Sequence, residues 1–187
     1  MEDPAAEWQE LASWYEETRR MRALVELGEA KAAVDQIRRQ VNTSRASPDS
    51  SPATILRLLC EYATLLESAD ALTEAEFVWS EALELVAANE LRSLEAAHAF
   101  LGQGLLRVKT HDYNEAVAKL KEAVERAEEL AAADELDRQI LLAKAWRGQS
   151  QAFEALGLFS AASSALDALT SIKRQIRFIA FSPTRGR

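Results

Sequence analysis

The chain has 187 residues, enough for one domain with a sizeable core, and 48% of them are apolar, which excludes a disordered chain. It carries 22 basic residues against 30 acidic ones, a net charge of −8, and so lacks the basic footprint that general nucleic-acid or membrane-surface binding needs. A single cysteine, Cys60, cannot close an internal disulfide, and neither a long apolar run nor a secretory leader is visible, so a cytoplasmic protein without a membrane span is expected.

Asp3-Pro4 opens the first predicted helix, Asp as cap and Pro at the first helical position. That helix carries Trp8, Leu11, Trp14, Tyr15, Leu24 and Leu27 around a polar middle, and Gly28 marks its turn. A second helix is expected from about Glu29 to Val41. Residues 42–52 read as a Ser/Pro-rich loop, a solvated connector in which Ser51-Pro52 caps the third helix. The third helix carries Leu59, Ala63 and Leu66 and ends near Ser68 to Asp70. Thr73 and Glu76 have capping-box spacing for the fourth, which carries Trp79 and Val86, with the next turn at Asn89. The fifth holds Leu94, Phe100, Leu101, Leu105 and Val108. Asp112 and Glu115 repeat the capping spacing before a sixth helix that runs to about Ala133. The seventh runs from Asp134 to Leu156, and Gly157 suits the left-handed turn after it. The eighth opens at Phe159, with Ala162, Leu166 and Leu169 as its apolar stripe. It continues past its repeat: Ile172, Ile176 and Ile179 cover the last core, Lys173, Arg174 and Arg177 face water, and 182–187 forms a mobile basic tail.

The segments repeat one another. Trp146 and Phe153 lie on one face of a helix, Gly157 turns the chain, and Phe159 and Ala162 open the return helix. Tyr113 and Ala116 repeat this opening, then Leu72 and Ala75, then, more weakly, Ala30 and Ala33. Ala33, Ala75, Ala116 and Ala162, small because two backbones approach there, are spaced 42, 41 and 46 residues apart. The pattern resembles a tetratricopeptide repeat, and the long steps, against the usual step of about 34, make it similar to long-helix variants such as those of kinesin light chains. The resemblance implies an all-α fold, a right-handed α-solenoid of about four helical hairpins (repeats about 5–41, 53–88, 91–133 and 135–181) with a C-terminal capping extension.

No motif carries chemistry. His98 and His111 are the only histidines, and neither a metal-ligand spacing, a phosphate loop nor a nucleophile elbow occurs. A non-enzyme without cofactor or metal is expected, and recognition remains. In tetratricopeptide arrays the first helix of each pair lines a concave groove. Aligned on Trp146, the partner-binding positions would be Tyr15, Arg19 and Arg22, then Arg57, then His98, Leu101 and Leu105, then Lys144, Arg147 and Gln151. The five cations form a basic strip suited to an acidic peptide, since Arg pairs bidentately with carboxylates. They equally suit solvated positions or pairing with Glu61 and its neighbours. Leu101 and Leu105 suggest an apolar middle that takes a helix or an extended apolar segment. The resemblance implies a protein-interaction scaffold or adaptor that binds an acidic or amphipathic segment. The alternatives are a dedicated chaperone like those of type III secretion and a peptide-sensing regulator. Phe178 to Phe181 offer an apolar contact for a homodimer.

Overall fold

The computed structural model describes residues 29–130 and 135–181, with side chains through Ile176. The predicted first helix, with Tyr15, Arg19 and Arg22, lies outside the described residues, as do the tail 182–187 and the side chains of Phe178 to Phe181. Seven helices are present among the described residues, and no strand. The chain divides into two compact units, Met1–Val78 and Trp79–Arg187.

In the first unit, α1 spans Ala30–Ala46 and buries Ala33, Val34, Ile37 and Val41, one face at helical spacing. It runs five residues past the expected end at Val41, through Asn42 to Ala46. Those residues are mostly exposed, where poor propensity costs only tenths of a kcal/mol each. The helix stops where Pro48 pushes Ser47 into extended backbone, φ −85° and ψ 123°. The connector is therefore shorter than the 42–52 loop read from the sequence. α2, Pro52–Ser68, starts as expected: the Ser51 hydroxyl accepts from the Thr54 N–H at 3.1 Å and Pro52 follows it. α1 packs on α2, and Arg38 Nε donates to the Tyr62 hydroxyl at 2.8 Å across that contact. α2 closes in a Schellman turn: the Ala71 N–H bonds the Leu66 carbonyl at 2.9 Å, with Asp70 left-handed at φ 60°. α3, Leu72–Ala88, then begins at once, so Thr73 sits inside the helix and caps nothing.

The second unit holds the end of α3, then α4 (Leu94–Lys109), α5 (Tyr113–Glu128), α6 (Glu135–Ala155) and α7 (Phe159–Phe181). α5 stops short of the expected Ala133. Ser93 caps α4 through the Ala96 N–H at 3.3 Å, and Asp112 caps α5 through the Glu115 N–H at 3.4 Å. Glu115 does not close the box: its carboxylate pairs with Arg107 at 3.0 Å. Three more Schellman turns end α3, α4 and α6, with Glu90, His111 and Gly157 left-handed at φ 48°, 65° and 73°. The turn expected at Asn89 thus falls one residue later.

α4 packs on α5, α6 packs on both, and α7 packs on α6. The crossing alanines Ala116 and Ala162 are buried here, as Ala33 and Ala75 are in the first unit. The two hairpins match position by position: Ala99 and Ala145, Gln103 and Gln149, Leu106 and Ala152 are all buried pairs. The close approaches also repeat. A methyl built on Gly102 of α4 would strike the Trp79 ring, at 2.6 Å from Cε2 and closer to Cζ2 and Cη2. A methyl built on Gly148 of α6 would meet Leu105 at 2.8 Å and Leu120 at 2.9 Å. In each case the first helix of a hairpin lies with a bare backbone against the return helix before it.

Candidate functional site

The exposed cations of α6 have a structural setting. Ile140, Lys144, Arg147, Gln151 and Glu154 recur at steps of three and four, so they line one face of that helix. Facing them from α7 are Leu166, Leu169, Lys173 and Ile176, and the two helices enclose a cleft of about 550 Å³. Its floor is apolar and its rim is charged. Lys144, Arg147 and Lys173 make no ion pair among the described residues, and Glu154 is the one acid that lines the cleft. In a chain of net charge −8 this is a local excess of positive charge beside apolar surface.

The structure divides the residues proposed from the sequence. Lys144, Arg147 and Gln151 come together as the α6 wall of the cleft, all exposed. Leu101 is 3% exposed and belongs to the core, so it offers no contact surface. Leu105 is packed against the same core and against Gly148. Neither forms an apolar groove floor, because α6 covers the side of α4 that carries them. Arg57 is half-buried on α2 in the first unit. Tyr15, Arg19 and Arg22 lie outside the described residues.

His98, on α4, is partly buried, and burial lowers its pKa from the ordinary 6.5, helped by the nearby charge of Lys144. Glu95 and Asp137 pull the other way and do not compensate. His98 is therefore neutral at pH 7 and resists protonation in the fold. The sign follows: the folded pKa lies below the unfolded one, so the stabilisation is complete above about pH 6.5 and is lost as pH falls through the lowered value. Urea midpoints compared at pH 7.5 and pH 5 will show a fall that His98→Gln reduces, and Lys144→Glu will raise the His98 pKa in an NMR titration.

Sequence reading missed two contributors to this cleft. Leu166 reads as core from its period, yet it is 44% exposed, and the buried stripe of α7 runs instead through Ala162, Ala165, Leu169 and Ile172. Lys173 reads as a solvated outer residue, yet it closes the cleft rim. No sequence signal separates Leu166 from its equivalent Leu120; the difference lies in the helix that covers Leu120. A second cleft, about 700 Å³, lies beside the start of α6. There the Glu135 carboxylate already binds Arg138 and accepts from Gln139 Nε2 at 2.8 Å, bonds that hold it below the usual carboxylate range, Gln139 contributing most. Among the described residues no group of His, Cys, Asp and Glu is placed to hold a metal ion, and no helix is long and apolar enough to cross a membrane.

No protein-family model matches the chain, and no curated protein matches it by sequence. Solved structures do match in shape. A kinesin light chain protein of P. anserina, built of nearly identical tetratricopeptide-like repeats, superposes with TM-score 0.56 at 15% identity, over 94% of this chain and 98% of that one. A point variant of it gives TM-score 0.57 at 14% identity over 87% and 95%. BtubC (BKLC) of P. vanneervenii gives 0.54 at 16% identity over 99% and 96%. With the repeated alanine crossings and Schellman turns, these likenesses make the chain, in fold, a tetratricopeptide-like helical repeat protein of the kind found in kinesin light chains.

Proposed function

We propose that the chain is a non-catalytic scaffold or adaptor that holds an acidic or amphipathic segment of another protein against its repeat helices. The observation that carries this reading is the trio Lys144, Arg147 and Lys173 around an apolar cleft of an acidic protein. Charged rims of this kind set the rate and specificity of encounter, and the apolar floor supplies affinity. The fold supports it, since helical-repeat arrays present extended surfaces to partners. It acts in the cytoplasm on this reading, in keeping with a single cysteine, Cys60, that can close no internal disulfide.

The test is recovery of partners from the native source on immobilised wild-type chain and on the Lys144→Glu/Arg147→Glu variant. Both residues are exposed, so the variant keeps its fold. Recovery of the specific partner falls at least tenfold, and the wild-type complex weakens as salt is raised. Undiminished recovery removes the strip from the reading. One stoichiometric client would mark a dedicated chaperone, and several members of one assembly would mark a scaffold.

A further inference from the structure

The cleft has a counterpart one hairpin earlier, and there it is filled. α6 lies on the hairpin of α4 and α5, with Gly148 against Leu120. One step before, Gly102 lies against Trp79 in the same way. Trp79 and Leu120 are equivalent residues, each four places after a crossing alanine, and they are 3% and 0% exposed. The next member of the series is Leu166, four places after Ala162, and it is 44% exposed at the floor of the cleft.

The remaining lining follows the same shift of 46 residues. Ile140, Ala143 and Leu169 stand where Leu94, Ala97 and Ala123 stand, residues of the core to which α6 adds Leu141, Leu142 and Ala145. Leu101, Leu105 and Ala127 of that core have become Arg147, Gln151 and Lys173. A face meant only for water would shed its apolar residues throughout. This one keeps the central stripe, Leu166 included, and changes its rim, chiefly to positive charge.

We infer that the cleft of α6 and α7, uncovered among the described residues, receives one helix of a partner protein, an amphipathic acidic helix seated as α6 is seated on the hairpin before it. A small residue of that helix crosses Leu166, as Gly148 crosses Leu120, and its carboxylates face Lys144, Arg147 and Lys173. His98 and Lys144 occupy equivalent positions on adjacent first helices, and the charge of Lys144 reaches His98. The incoming residue at that position therefore lies beside Lys144, where a cation is repelled and an acid is held. The inference rests on the protein-binding reading above and adds the shape and chemistry of the occupant.

The probe is a fluorescein-labelled synthetic helix with the sequence of residues 135–155 carrying Lys144→Glu and Arg147→Glu, titrated with the full chain by anisotropy. It keeps the Gly148 crossing and presents acids to the rim. Saturable binding is expected, weakened at least tenfold by Leu166→Glu in the chain. A circular dichroism melt of that variant stays near wild type, because Leu166 is already exposed. Lys144→Glu/Arg147→Glu in the chain weakens the acidic probe at least tenfold and favours the unmodified 135–155 helix, which keeps Lys144 and Arg147. No binding, or binding indifferent to Leu166→Glu, overturns the helix-docking inference. If partner recovery still depends on Lys144 and Arg147 in that event, the protein-binding reading survives without it. Binding that needs Leu166 but ignores the charges overturns the acidic occupant. A free chain that sediments as a dimer, dissociated by Leu166→Glu, assigns the cleft to a second copy and overturns the partner.

Discussion

Trp79→Ala will lower stability by about 3–5 kcal/mol, the cost of truncating a buried aromatic whose surroundings relax only in part. Trp79 is 3% exposed and rests on the bare backbone at Gly102. Truncation leaves a void under a helix that has no side chain at that point to fill it. At roughly 2–4 °C per kcal/mol for a chain of this size, the melting temperature drops on the order of 10 °C. Thermal melts followed by far-UV circular dichroism, with urea midpoints as a check, will read it. A loss below about 1 kcal/mol would mean that the indole is not packed between the helices as described.

Gly102→Ala is the converse experiment at the same joint. A single methyl at 102 would meet three ring atoms of Trp79, with Cε2 at 2.6 Å, so the ring or the helix must move. Overpacking of this kind costs about 1–3 kcal/mol, and more where the neighbour is rigid. Trp79 is rigid and buried, so the upper end is expected, against the ordinary stabilisation of about 1 kcal/mol that Ala brings over Gly inside a helix. Gly157→Ala is the control. Nothing lies within 4 Å of a methyl there, and only the left-handed backbone at φ 73° resists it. The double variant Trp79→Ala/Gly102→Ala will be more stable than the sum of its parts, since the new methyl enters the vacated space. Additive losses would dissociate the two residues.

The parts of this fold that are legible in the sequence are those fixed by local sterics. Ala33, Ala75, Ala116 and Ala162 mark helix crossings because only a small residue fits there, and all four are buried. Asp70, His111 and Gly157 lie at the turns because each hairpin resumes its helix directly after them, and all three are left-handed. Local chemistry misleads where hydrogen bonding decides. The turn after α3 falls on Glu90 although Asn89 has the better side chain for it, because the Leu91 N–H reaches the Val86 carbonyl at 3.1 Å.

The candidate site is only half legible, for a tertiary reason. Whether a first-helix residue faces a partner or a neighbouring helix depends on whether a helix follows in the stack. Leu101 and Arg147 are equivalent by alignment, yet α6 covers the first and nothing among the described residues covers the second. Leu166 has the period of a core residue and lacks only the neighbour that would bury it. Lys144, Arg147 and Gln151 are reached through the resemblance, which assigns groove positions to the first helix of each pair, and they lie together on one wall of the cleft.

The Gly102 and Trp79 joint also constrains how relatives of this chain can diverge. The indole occupies the room that a missing side chain leaves, so a change at either position alone passes through a destabilised intermediate, about 3–5 kcal/mol when residue 79 shrinks first and about 1–3 kcal/mol when residue 102 grows first. Paired change is expected to cost less than the sum of the two steps, so relatives are expected to show inversely matched sizes at the two sites.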